Sequence, residues 1–335
     1  MTVPWEDQEE DKNLTKVIKR AKRRTMIRNI IISLVVTVVV LLGGIIGNAQ
    51  VTNYMFTKVF KQEENFQQIT GPNLFESYYT EERGFLSGKL EIHRYKVIGG
   101  VPIPWDARQV DYNLDLNMSV RSTNQSYSNI PVPDQVMSDA KYEYNRTFNS
   151  SNGQREMMFY IPEINYNEKI LNDLPSLSEM DPGKLVEMGI SFDKSYSLEE
   201  VKSMLPEGLK QVWYWVDTYN NKDRYKPYKD GNGNMSYAIP EEARSIFGFG
   251  VRWDYDHAEV NDFIKSLQNG LMQKGKYYSE YSRIYDYLKR DKAEPDSNDV
   301  RIIGVVVTGT AEQLKSLTNK AYVRGAVLGA VVDKY

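Results

Sequence analysis

The sequence predicts an α+β protein hung on a single N-terminal transmembrane helix, with an extracytoplasmic β-rich region next and a ferredoxin-like βαββαβ domain, interrupted by a helical insertion, at the C-terminus. Three observations carry this. The run Ile30 to Ile46 holds no charge and approaches the ~20 residues a bilayer core requires. Two strand–helix–strand patterns recur near residues 185–219 and 300–332, each with its helix opened by a capping-box sequence. The chain has no cysteine, so folding outside the cell must rest on packing, and thiol catalysis, Cys-ligated zinc and Fe–S clusters are all excluded.

Taken in order, residues 1–28 form a basic segment. Leu14, Val17, Ile18 and Ala21 recur at helical spacing, while Lys16, Lys19, Arg20 and Arg23 point largely elsewhere, which predicts a basic amphipathic helix. That face can rest on anionic lipid headgroups or dock a cytosolic protein, and its residues suit both. The transmembrane helix is placed at residues 29–50. Lys12, Lys16, Lys19, Arg20, Lys22, Arg23, Arg24 and Arg28 precede it, whereas Lys58 and Lys61 after it are mixed with Glu63 and Glu64, so the N-terminus is expected in the cytoplasm. Gly47-Asn48-Ala49 also offers a signal-peptide cleavage site, but the apolar run exceeds the 7–15 residues usual for a cleaved signal. Gly43 and Gly47 form a GxxxG pair that would let two helices approach, making a homodimer through the span an expectation. Tyr54, Phe56 and Phe60 fit an interfacial aromatic belt.

Residues 51–180 are read as a stalk helix followed by the β-rich region. Val51 to Glu64 prolongs the membrane helix, and Gly71-Pro72 ends it. Leu90–Ile98, Val110–Val120 and Met157–Ile161 have strand composition, with Tyr112, Leu114, Leu116 and Met118 alternating; Pro102, Pro104 and a polar stretch from Ser122 to Ser138 separate them. Asn149 to Gly153 reads as a turn.

Residues 181–335 hold the paired units. Leu185–Phe192 is a strand, Ser197-Leu198-Glu199-Glu200 opens a helix to Leu205, and Val212–Tyr219 is the next strand. Val300–Thr308 is a strand, Thr310-Ala311-Glu312-Gln313 opens a helix to Leu317, and Tyr322–Val332 closes the unit. Right-handed crossovers in both units give the ferredoxin-like arrangement, and the unbroken apolar run Ile302 to Val307 suits a buried central strand. The insertion between the units, about 80 residues, needs structure of its own. Ala258–Gln268 and Tyr277–Leu288 supply two amphipathic helices, with Asn269-Gly270 and Lys274-Gly275 as turn material.

Catalytic chemistry finds little purchase. His93 and His257 are the only imidazoles and lie far apart. Asp230-Gly231-Asn232-Gly233-Asn234 resembles the start of a calcium loop, but Met235 stands where the sharp turn wants glycine, and Pro227 and Pro240 oppose flanking helices, so a solvated turn is expected. Asp181, Asp193, Asp217, Asp254 and Asp256 show no acid–base pair spacing. Trp213 and Trp215 share one strand face, opposite Tyr214, and are expected to pack against the crossover helix, a ligand-facing aromatic platform being the alternative. Gly304 to Thr310 lacks the Walker pattern. No catalytic residue, cofactor or metal is therefore expected, and the mildly acidic balance after the span argues against nucleic acid.

The span with its basic approach (Lys16 to Gly47), the turn Gly99-Gly100-Val101-Pro102-Ile103-Pro104-Trp105, the strand Val212 to Tyr219, and the ending Gly304 to Thr310 through Tyr322-Val323-Arg324 to Gly329–Asp333 resemble the sigma factor regulator family. These are membrane-anchored anti-sigma proteins of Gram-positive bacteria with paired N-terminal and C-terminal regulator domains. The resemblance implies negative control of an extracytoplasmic-function sigma factor, held by a cytoplasmic segment under the command of an outer domain. Many anti-sigma proteins carry a larger folded cytoplasmic domain, some with zinc-binding His and Cys. Here either the helix bearing Leu14, Val17, Ile18 and Ala21 grips the factor, or a membrane co-regulator binds it and this chain modulates that partner. An envelope binding or scaffold protein without a transcriptional role is the first alternative, and a hydrolase with an unrecognised carboxylate site is the second.

Overall fold

The structure is a computed structural model that describes residues 6–113, 130–251 and 259–333. No proline interrupts the chain between Pro4 and Pro72, and the product is one helix, α1 (Glu6–Gln67), of 62 residues. At 1.5 Å per residue it is about 93 Å long, three times the thickness of a bilayer core. Its apolar stretch from Ile30 to Ile46 is exposed throughout, and it is long and apolar enough to cross a membrane. The helix ends at Gln67, and the chain turns away through Gly71, which takes a left-handed φ of 71°.

Past the apolar stretch, one face of α1 is covered by a three-stranded antiparallel meander, β1 (Phe75–Arg83), β2 (Ser87–Ile98) and β3 (Val101–Asn113). Met55 and Val59 pack against Leu90, Ile92, Val110 and Tyr112. Phe56 and Phe60 join this cluster, stacked on each other at 5.8 Å and against Tyr79 at 5.7 and 5.0 Å. The expected aromatic belt is thereby corrected: of its three members only Tyr54 stays exposed, because the meander offers the other two an apolar surface. Pro102 and Pro104 do not separate strands. They sit within β3, paired with Val97 and Tyr95, which an edge strand tolerates because one side of it has no ladder to feed. β1 escaped prediction because Phe75, Tyr78, Tyr79 and Thr80 are mixed with Glu76, Glu81, Glu82 and Arg83 in no apolar alternation, and no residue of the strand is fully buried. Leu114, Leu116 and Met118 lie outside the described residues.

The C-terminal body is built on a five-stranded sheet. Its strands are β4 (Leu185–Tyr196), β5 (Lys210–Val216), β6 (Gly248–Gly250), β7 (Ile302–Thr310) and β8 (Val323–Val332), in the order β6-β5-β7-β4-β8 with every neighbouring pair antiparallel. Between β4 and β5 runs helix α2 (Leu198–Met204), whose Ser197 and Glu200 complete a capping box. After the insertion helices α3 (Val260–Gln273) and α4 (Tyr278–Lys289), a short helix α5 (Ala311–Leu314) links β7 to β8, again behind a full capping box from Thr310 and Gln313. The predicted central strand is indeed third of five, with Ile302, Ile303, Val305, Val306 and Val307 wholly buried.

Both faces of the sheet are covered. Val186, Met188, Ile190 and Phe192 face a core shared with all four of the C-terminal helices, together with Tyr214. The opposite face meets Met157 to Ile161, of which only Met158–Phe159 forms a strand, paired with Glu241–Glu242. Trp213 and Trp215 lie on this second face, with Phe159 edge-on to Trp215 at 5.3 Å. They therefore pack away from the crossover helix, correcting the expectation; strand alternation gives the helix side to Tyr214. Gly270 does not turn the chain but lies inside α3, where a Cβ would come within 2.2 Å of the Tyr281 ring. Its role is close packing of α3 on α4; the turn falls at Lys274, at φ 44°.

Candidate functional site

The residues that could transmit anything between α1 and the C-terminal body lie in its last two turns. Glu63 is buried with 2% of its side chain exposed, yet it keeps its charge partners: Arg108 Nε from β3 is 2.8 Å away, and the Tyr277 hydroxyl donates to its carboxylate, 2.6 and 2.8 Å from the two oxygens. Arg108 also bonds the Tyr277 oxygen directly. Lys276 Nζ, at 3.7 Å from Glu63, is near enough to feel its charge but too far to donate a hydrogen bond. Burial pushes the Tyr277 phenol well up, so this group stays a donor to Glu63 at any physiological pH, and burial pushes the Lys276 ammonium down.

Flanking residues of α1 complete the clamp. Phe66 stacks on Tyr277 with ring centroids 3.7 Å apart and planes 8° from parallel. Asn65 Nδ2 donates to the Ser266 carbonyl at 3.0 Å and to the Tyr281 hydroxyl at 2.8 Å, and Ser266 Oγ donates to Gln68 Oε1 at 2.9 Å. The helix end is thus bonded to β3 on one side and to α3 and α4 on the other. Removing one partner of a buried pair costs about 3–5 kcal/mol, so the helix cannot slide or rotate here without repacking its neighbours.

A second clasp ties the meander to the C-terminal sheet. Lys96 of β2 is 2.8 Å from Glu187 of β4, both side chains being essentially unexposed. Lys96 Nζ lies 4.0 Å over the Trp105 ring, and Asn73 Nδ2, from the loop after α1, donates to Glu187 at 2.9 Å. Beside the helix end a cleft of about 550 Å³ is lined by Glu64, Gln68, Glu76, Trp213, Phe249 and Asp262, among others. Burial, and after it the charge of Glu64, raises the Glu76 pKa.

Leu14, Val17, Ile18 and Ala21 fall on one exposed stripe of α1, far along the helix from this clamp; Leu14 and Val17 are 60% and 64% exposed. Gly43 and Gly47 leave open space where a Cβ would stand. His93 stacks on Tyr78 at 4.3 Å beside Glu91, while His257, Asp254 and Asp256 lie outside the described residues. Asp230 spends its carboxylate on the amides of Asn232 and Asn234, both at 2.8 Å, in a tight exposed turn whose amides hold its pKa down. Among the described residues no group of three or more His, Asp or Glu is arranged to hold a metal. Sequence reasoning missed the clamp: Glu63 served only in the charge count, and Arg108 is 45 residues away along the chain. The signal available was the tract Glu63-Glu64-Asn65 in a helix that elsewhere presents an apolar face.

Comparison with known families matches residues 15–103 to the model described as sigma factor regulator N-terminal and residues 177–330 to that described as sigma factor regulator C-terminal. No curated protein and no solved structure matches the chain. The two matched regions are joined by the Tyr277–Glu63 hydrogen bonds of the clamp and by the Lys96–Glu187 clasp, while Arg108 lies between them in sequence.

Proposed function

The chain belongs to the sigma factor regulator family, and from that membership we propose that it is a membrane-anchored regulator that holds an extracytoplasmic-function sigma factor inactive. In this reading residues 1–28 are cytoplasmic, residues 29–50 span the membrane, and residues 51–180 and 181–335 form the extracytoplasmic sensory part. The basic residues before the span support that orientation. The order β5-β7-β4-β8, with α2 and α5 packed in the core on one face, supports a ferredoxin-like reading of the C-terminal unit. The work is regulatory rather than catalytic.

One observation carries the proposal: a single unbroken helix runs from the basic segment to the clamp at Glu63, Asn65 and Phe66. A change in the outer domain that shifts the clamp is delivered to Leu14, Val17, Ile18 and Ala21 as a movement of the same rigid element, and these residues grip the sigma factor or a membrane co-regulator of it. The open face at Gly43 and Gly47 would let two such helices pair. Substituting Val17→Asp together with Ile18→Asp tests this by transcription of the controlled regulon. Derepression is expected. The flanking Lys16, Lys19, Arg20 and Arg23 favour a second reading, in which the stripe only rests on anionic lipid and the protein is an envelope scaffold. That reading requires unchanged transcription and weakened membrane association alone.

A further inference from the structure

The β1–β2 hairpin turns at Gly84-Phe85-Leu86, and this tip is hooked onto α1. The Leu86 amide donates to Asn48 Oδ1 at 2.6 Å, and Asn48 Nδ2 donates to the Gly84 carbonyl at 3.3 Å. Within the tip the Gly84 amide donates to the Ser87 carbonyl at 2.8 Å, and Leu86 takes a left-handed φ of 50°. Asn48 lies two residues beyond Ile46, the end of the apolar run, which at helical rise is about 3 Å along the axis. The hook therefore fixes the tip at the height where the apolar run ends.

At that height Phe85 is 77% exposed, more than any other large apolar side chain among the described residues. The tip from Gly84 to Gly88 bears no charge. The nearest cation, Arg83, is bound by both oxygens of Glu81 at 2.7 and 2.8 Å. The Arg83 charge is thus paired, which lowers the cost of bringing the tip against lipid. Phe56 and Phe60, which could have served the interface from α1, are turned into protein contacts.

We propose that the β1–β2 tip is a lipid-binding foot: Phe85, with Leu86 beside it, enters the headgroup–acyl boundary of the bilayer that α1 crosses, and so fixes the depth and rotation of α1 relative to that surface. This rests on the reading of Ile30 to Ile46 as membrane-spanning. A flexible aromatic at an interface anchors; one hooked to the membrane helix also sets register.

The absence of native cysteine makes single-cysteine nitroxide labelling direct. Full-length protein in lipid nanodiscs is labelled in turn at Phe85→Cys, Val38→Cys in the span and Tyr228→Cys on an exposed hairpin, and collision with oxygen and with a water-soluble nickel chelate is compared. The label at 85 should read about 5–10 Å inside the headgroup–acyl boundary, with 38 deeper and 228 in water. A label at Ser87→Cys should move toward water when Phe85→Asp is added. If 85 behaves as 228 while 38 is shielded, or if the Ser87 label ignores Phe85→Asp, the foot is refuted and the span stands. If 38 itself is open to the nickel chelate, the spanning reading falls and the foot with it.

Discussion

Replacing Arg108 with methionine strips Glu63 of its closest ionic partner and leaves the carboxylate buried. Loss of one partner of a buried pair costs about 3–5 kcal/mol. Two features of the site reduce this: Arg108 is 19% exposed, so part of its charge is already screened, and the Tyr277 hydroxyl remains bonded to Glu63. The expected penalty is about 2–3 kcal/mol, or roughly 30- to 150-fold in the opening equilibrium. Replacing both residues, Glu63→Met with Arg108→Met, removes the stranded carboxylate but also the acceptor of the Tyr277 hydroxyl and the counter-charge of Lys276, so it should cost less than the sum of the two single losses without returning all of the loss. Hydrogen exchange of the peptide covering residues 59–67, in full-length protein in nanodiscs, reads the opening free energy locally and does not require the whole chain to unfold in one step. A penalty under about 0.5 kcal/mol for Arg108→Met, or a double variant whose loss is the sum of the two single losses, would refute the claim that Glu63 and Arg108 act as one coupled unit.

Two further predictions concern the elements around the clamp. Gly270→Ala should lower the melting temperature: the helix-propensity gain of about 1 kcal/mol is outweighed by a Cβ 2.2 Å from the Tyr281 ring, which is buried and held by Asn65, and overpacking of this kind costs about 1–3 kcal/mol; a higher melting temperature would contradict the close-packing role. Glu76 has a folded pKa raised above its ordinary 4.5 by burial, so the folded state binds more protons than the unfolded one and the contribution of this group is present below 4.5 and lost as pH rises through the folded pKa. Glu76→Gln should accordingly be more stable than the parent in urea titrations at pH 7.5 and indistinguishable near pH 4.5, and the opposite trend would remove Glu76 from the list of desolvated groups.

Where the sequence was legible, a local physical rule was strong. The two capping boxes at Ser197 and Thr310 need only four residues each, and the apolar run before Asn48 needs only its own composition. Misreadings arose where distant packing overrode a local signal. Gly270 looks like a turn residue until Tyr281 is brought against it, Phe56 and Phe60 look lipid-facing until the meander covers them, and Pro102 and Pro104 look like breakers until β3 proves to be an edge. The clamp was illegible for the same reason: Glu63, Arg108 and Tyr277 come from a helix, a strand and an insertion that no sequence period links. The stripe at Leu14, Val17, Ile18 and Ala21 could be read as one face because helical spacing alone assembles it.

The most direct test of the central claim is a pull-down from solubilised membranes using tagged full-length protein beside a version lacking residues Met1 to Arg24, with co-purified proteins identified by mass spectrometry. Recovery of a sigma factor with the full-length chain and not with the truncated one is the predicted result, and places the grip on the stripe at the far end of α1. Recovery of the same membrane partner by both versions, with no sigma factor in either, would contradict direct sequestration by this chain.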